Sequence, residues 1–279
     1  MELMLDPTWA LTRPILWLVL AGVLAILVLR TARKDRREYQ RFKRYRSTVR
    51  RQAMFRKWLR DSFLTFGGLG AATLLLAGGF VAPLLSELAG WPGLRELRGL
   101  IAAFPLVSAV VIVVLAIAVT AITLVAVREA RKEGDELVVI GDIRSMLPRN
   151  RQELRWGTAL SVNAGVVEEV MFRLAVPAAI YGASGSAIAA VAGSVLLFGA
   201  LHLYQGVTGI IGTTVVGALM MALYVVSGTI IAPIVLHAIF DLRSLVLIPA
   251  AIFGAHRIDG RKHPYIPATP RPVVPAPLP

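Results

Sequence analysis

Two long stretches of this sequence contain no charged residue. Gly99 to Val127 is a run of 29 residues and Ser62 to Ser86 a run of 25. A helix needs roughly 20 apolar residues to cross a bilayer, so each run is long enough to span one. Across all 279 residues the hydrophobic share is 56%, more than a soluble domain of this length has to bury. The alternating segments of about ten residues that mark a membrane β-barrel are absent. The sequence therefore predicts an all-α, polytopic transmembrane helix bundle.

Charge gives the bundle a direction. The net charge is +13, and nearly all of it comes from Arg30 to Arg60, where 14 Lys and Arg face two acids, Asp35 and Glu38. A basic block directly after a membrane span reads as cytoplasmic and as an anchor on anionic lipid headgroups. Basic charge by itself is a weak nucleic-acid signal, and no nucleic-acid partner is expected. There is no cysteine, which excludes a disulfide framework, a thiolate nucleophile and cysteine-ligated metal.

About seven spans are expected, with the N-terminus outside. The first is Pro14 to Leu29, where Arg13 and Arg30 can snorkel outward. It reads as a retained span, not a signal peptide, because Glu2 and Asp6 precede it and the basic block follows it. Tyr39, Phe42, Tyr45 and Val49 recur at helical spacing in the basic connector, as in an amphipathic helix lying on the membrane surface or in a solvated helical linker. The second span is Phe63 to Leu85 and the third lies within Gly99 to Val127. Arg128 to Gly157, with seven Lys and Arg, is a second cytoplasmic loop. Four spans follow almost without loops: Thr158 to Tyr181, Ser184 to Tyr204, Val207 to Val226 and Thr229 to Ala250. The expected division is residues 1–61, 62–157, a motif-bearing core at 158–254, and a disordered, proline-rich tail at 255–279.

Ionisable residues inside the last four spans form a short list: Glu168, Glu169, Arg173, His202, His237, Asp241 and Arg243. Such residues are costly in hydrocarbon and mark function by default. Glu169 and Arg173 are four apart, acid before base, the favourable order for a pair on one helix face. Glu168 points about 100° away, so one acid can be held by Arg173 while the other faces a cavity. A glutamate in a low-dielectric pocket can act as general base on water, and histidine can orient that water or donate to an oxyanion. Two histidines and a carboxylate, here His202, His237 and Glu168, are also the donor set of a catalytic zinc site, so a zinc cofactor stays open.

Glu168-Glu169-x-x-x-Arg173, Phe198-x-x-x-His202 and His237-x-x-x-Asp241 occur in that order on successive apolar segments. Together they resemble the three motifs of the CPBP intramembrane proteases, the family of CAAX prenyl endopeptidases. The resemblance covers about Thr158 to Ala250. It implies an integral-membrane endopeptidase, in the cell membrane of a prokaryote, acting on a membrane-associated or lipid-modified protein. It implies that Glu168 activates water, that Arg173 holds Glu169, and that His202 positions the water or binds a metal. It implies that His237 and the residue four later stabilise the oxyanion. That last residue is commonly asparagine among CAAX-processing members, and here it is Asp241, which cannot donate a hydrogen bond while ionised. Two other readings of the same residues stand beside this one: a non-catalytic immunity or scaffolding factor on the same fold, and a proton-coupled transporter with helices broken at Pro177 and Pro233.

Overall fold

The computed structural model describes residues 4–104 and 144–260, with isolated positions between 106 and 125. Every regular element among the described residues is helical. Helix α1 is Thr12–Lys43 and α2 is Thr48–Ala89; Leu94–Ala103 forms the shorter α3. Helix α4 runs over 151–184, α5 is Ala187–Ala200, α6 is Leu203–Ser227 and α7 is Ile231–Ala251.

Four of these, α1, α2, α6 and α7, are long and apolar enough to cross a membrane. They are the expected first, second, sixth and seventh spans. Their outward faces carry large apolar side chains such as Leu18, Phe63, Val207 and Ile231, each more than half exposed. In hydrocarbon that exposure costs nothing, because lipid tails are as apolar as the side chains. Helix α4 has the length but carries Glu168, Glu169 and Arg173 in its middle. Helix α5 has 14 residues, about 21 Å of helix, which is short of the roughly 30 Å hydrocarbon core. The expected third span lies mostly outside the described residues, as do 126–143 of the second loop and 261–279 of the tail.

Four helices contain a short π-helical turn: Arg30–Asp35 in α1, Phe63–Gly67 in α2, Val170–Ala175 in α4 and Arg243–Leu247 in α7. Such turns insert one extra residue and often mark functional sites. The turn in α4 begins immediately after Glu169. Pro177 follows it and has no N–H to give, and the Ser194 hydroxyl donates to the Phe172 carbonyl at 2.6 Å. The helix therefore continues through Pro177 unbroken, and Pro233 sits within the first turn of α7. Neither proline breaks a helix, so the transporter reading loses that support.

The basic connector differs from its sequence reading. Its amphipathic face is real, but protein covers most of it. Tyr39 and Phe42 are fully buried, Phe42 against Phe55 and Trp58, while Val49 stands exposed. Residues 36–62 form a helical hairpin whose acids are paired: Lys34 with Asp61 at 2.6 Å, Lys57 with Asp61 at 2.9 Å, and Trp58 Nε1 donating to Glu38 at 3.0 Å.

This hairpin is bolted to the start of α4 by a buried polar junction. Arg51, Thr48, Asn150 and Glu153 are all fully buried. Arg51 Nε donates to Glu153 at 3.0 Å, and its two Nη atoms donate to the carbonyls of Ser145 and Leu147 at 2.9 and 3.0 Å. Thr48 donates to Glu153 at 2.9 Å and accepts from Asn150 at 2.8 Å. Asn150 also caps α4 by accepting from the Glu153 N–H. Burial, with the Arg51 charge beside it, pushes the Arg149 guanidinium down to about 10.

Residues 255–260 are docked on this same end of α4, with the Arg151 N–H donating to the Ile258 carbonyl at 2.9 Å and Arg151 Nε to His256 O at 3.2 Å.

Candidate active site

Helix α4 brings its acids to α7 along a row of small side chains. Gly157, Ser161 and Gly165 are four apart and buried, and Glu169 is the next step on the same face. A Cβ at Gly165 would lie 3.0 Å from Ala238 and from the Ile234 carbonyl, and one at Gly157 would lie 2.8 Å from the Leu245 carbonyl. Only glycine allows the two backbones to approach this closely. The row was legible in the sequence as a four-residue repeat of small residues, but it takes α7 alongside to give it meaning.

The close approach sets Glu169 against His237. Arg173 Nε donates to Glu169 Oε2 at 2.8 Å, and Arg173 Nη2 donates to Oε1 at 3.2 Å. His237 Nδ1 lies 2.7 Å from the same Oε1. The carboxylate can only accept, so His237 donates its Nδ1–H and turns Nε2 towards Asp241, whose Oδ2 is 3.9 Å away. Glu169 and Arg173 are fully buried. The pair four residues apart is present, and His237 joins it from 68 residues further along the chain. Glu168 stands in contrast. Half-buried on the adjoining face, it makes no hydrogen bond and no ion pair with any described residue.

Comparison with known proteins singles out this same part of the chain. Residues 150–243 match the Rce1-like family, type II CAAX prenyl endopeptidases. The match covers about a third of the chain, and its range contains Glu168, His202 and His237. Neither a curated protein nor a solved structure matches the chain. The match falls on a chain that has four helices long and apolar enough to cross a membrane, as an integral membrane protein has. The matched segment begins at Asn150, so it includes Asn150 and Glu153 of the polar junction as well as the acids, while Thr48 and Arg51 lie outside it.

His202 sits in the turn between α5 and α6, not within a span as the sequence suggested. The turn that was expected at Gln205-Gly206 falls four residues earlier, at 201–202, because Leu203–Gln205 is a 3-10 turn that opens α6. His202 Nδ1 is 2.8 Å from the Phe198 carbonyl, which can only accept. The ring therefore donates Nδ1–H and presents the Nε2 lone pair. Phe198 organises this side of the Rce1-like segment. Its ring lies 4.9 Å from that of His202, 6.2 Å from that of His237 and 5.2 Å from the Arg173 guanidinium. Gly217 on α6 makes room for it, since a Cβ there would be 2.8 Å from the Phe198 ring.

The donor set expected for zinc does not converge. Among the described residues no group of three His, Asp or Glu side chains lies close enough to hold a metal ion. One nitrogen of His237 is already given to Glu169, and Glu168 and His202 do not close on the other. The metal-ligating role expected for Glu168, His202 and His237 is thus not supported by their geometry. Arg243 on α7 stays off the cluster, and its Nε is buried without a hydrogen-bond partner among the described residues.

The first two helices also reach the site, which no motif in them announces. Val23 and Leu27 of α1 pack with Met171, Phe172, Ala175 and Phe198 in one buried cluster. Phe66 of α2 contacts Phe172 with ring centroids 5.9 Å apart, and the Arg30 guanidinium lies 5.0 Å from the Phe66 ring.

Proposed function

We propose that this protein is an intramembrane endopeptidase of the CPBP type, which hydrolyses a peptide bond of a prenylated or other membrane-associated protein with water activated by Glu168. The observation that carries the reading is the inequality of the two acids. Glu169 is held by Arg173 and His237, whereas Glu168 has both oxygens uncommitted among the described residues. A spectator acid in a bundle would be paired; a general base has to be available to water.

In the proposed reaction Glu168 takes a proton from water as the water oxygen attacks the scissile carbonyl carbon. The carbonyl π electrons move onto oxygen and give a tetrahedral oxyanion. On collapse the C–N bond breaks and the amine nitrogen takes the proton back from the Glu168 carboxyl. The lone pair on His202 Nε2 accepts the second hydrogen of the same water and holds it in line. Glu169 and Arg173 act as positioning residues that fix the His237 ring with its Nε2 next to Asp241. No metal step is needed for this sequence.

The proposal includes a seven-span arrangement with the N-terminus outside, in the plasma membrane of a prokaryotic cell. Arg51 meets Glu153, and Ile258 meets Arg151, so the three basic regions share one end of the bundle, as a common cytoplasmic side requires. Arg36, Arg37, Arg41, Arg44 and Arg46 stand exposed at that end, and anionic headgroups are their proposed partners.

The test is cleavage of a farnesylated CAAX peptide by the purified full-length protein in vesicles. Wild type is expected to release the C-terminal tripeptide, and Glu168→Gln and His202→Ala are expected to release none. Cleavage that survives Glu168→Gln would refute the mechanism.

A further inference from the structure

We propose that the start of α4 and the segment after α7 form a binding site for one anionic phospholipid, its phosphate in a basic cavity and the first part of its acyl chains in an apolar one beside it. The inference does not depend on the hydrolytic reading above. It starts from three arginines without acids. Arg151 and Arg155 are four apart in the first two turns of α4, on one face. Arg257 is brought to them by residues 255–260, which Arg151 holds through the carbonyls of Ile258 and His256. The three side chains line one cavity of about 220 Å³, together with Gln152 and Asp259. Arg151 Nε donates to His256 O at 3.2 Å and Arg257 Nε to His256 Nε2 at 3.3 Å. Among the described residues the Arg155 side chain makes no hydrogen bond, and none of the three arginines forms an ion pair. Three cations against the one carboxylate of Asp259 leave the cavity with a surplus of two positive charges. Guanidinium groups gathered in this way repel one another until an anion joins them, and their forked donors match phosphate oxygens.

The second cavity makes the ligand a lipid. Arg257 also lines a space of about 520 Å³ whose wall includes Ala250, Ala251, Phe253 and Ile258. That wall begins on the last turn of α7, a helix long and apolar enough to cross a membrane. A soluble anion has no use for the apolar space, whereas an amphiphile fills both, with Arg257 at the boundary between them. Basic pockets at the ends of membrane helices are where the headgroups of anionic lipids bind. A zwitterionic lipid carries a cation of its own, which the surplus positive charge opposes. Bound there, the phosphate ties the segment after α7 to the start of α4 and so stabilises the folded protein.

The experiment follows the unfolding midpoint of purified full-length protein in a neutral detergent as phosphatidylglycerol, phosphatidylcholine or glycerol phosphate is added. Phosphatidylglycerol is expected to raise the midpoint of wild type saturably, and the other two to bind at least about tenfold more weakly. Arg155→Gln/Arg257→Gln is expected to weaken phosphatidylglycerol binding about 25-fold, and Arg155→Gln alone about fivefold. The single variant removes no hydrogen bond within the described protein, so it keeps the comparison valid if the double variant fails to fold. Arg33→Gln/Arg50→Gln removes two exposed cations from the N-terminal helices and is expected to change the affinity less than twofold. No response of wild type to phosphatidylglycerol, equal binding of phosphatidylcholine, or unchanged affinity in Arg155→Gln would overturn the proposal. An equal loss in Arg33→Gln/Arg50→Gln and Arg155→Gln/Arg257→Gln would replace the site with diffuse attraction to the basic surface. Glycerol phosphate binding as tightly as phosphatidylglycerol would reject the lipid and make a soluble phosphate the ligand.

Discussion

Two adjacent glutamates with opposite surroundings define this site at the scale of single residues. Glu169 accepts three hydrogen bonds in full burial, and each partner depends on it. Removing one member of a buried ion pair leaves an uncompensated charge and costs about 3–5 kcal/mol. Arg173→Met is therefore expected to destabilise the protein by that amount, seen as earlier unfolding in detergent; an unchanged unfolding midpoint would mean that the pair is not buried in the folded protein. The histidines are oriented by acceptors that leave little choice of tautomer, a backbone carbonyl for His202 and a carboxylate for His237. Because Glu168, His202 and His237 do not converge into a three-donor set, cleavage is expected to persist in a strong chelator. Loss of activity under chelation, restored by added zinc, would contradict this.

At the scale of helices, the decisive feature is how closely α4 and α7 approach. Gly165 allows it, and a larger side chain has nowhere to go. Gly165→Leu would gain about 1 kcal/mol in helix propensity but force the helices apart, and overpacking of this kind costs about 1–3 kcal/mol. The net expectation is a destabilised protein that has lost cleavage, because His237 no longer reaches Glu169; retained activity would show that the contact is not required. Much of this was legible in the sequence. The uncharged runs announced membrane helices, and the spacing of Glu169 with Arg173 announced a pair. The contact between His237 and Glu169 was not legible, since no local pattern links residues 68 apart. The π-helical turns were equally hidden, because one inserted residue leaves an apolar periodicity almost unchanged. The connector misled for a related reason: amphipathicity shows that one face is covered, but not whether lipid or protein covers it.

At the scale of the whole molecule, the matched segment does not stand alone. Arg51 from the N-terminal hairpin neutralises Glu153 near the start of α4, and α1 and α2 pack around Phe172. A fragment limited to residues 148–260 would take the Arg51 cation and the Thr48 hydroxyl away from Glu153 and would expose the apolar cluster. It is expected to aggregate and to show no cleavage, as size-exclusion chromatography in detergent can establish; a monodisperse, active fragment would mean that the first two helices are dispensable. The central claim, that Glu168 is the base and Glu169 the brace, is tested most directly by measuring cleavage and unfolding on the same preparations of wild type, Glu168→Gln and Glu169→Gln. The expected result is that Glu168→Gln unfolds at the wild-type midpoint and releases no product, while Glu169→Gln loses both stability and activity. Product release by Glu168→Gln, or unfolding as early as that of Glu169→Gln, would contradict it.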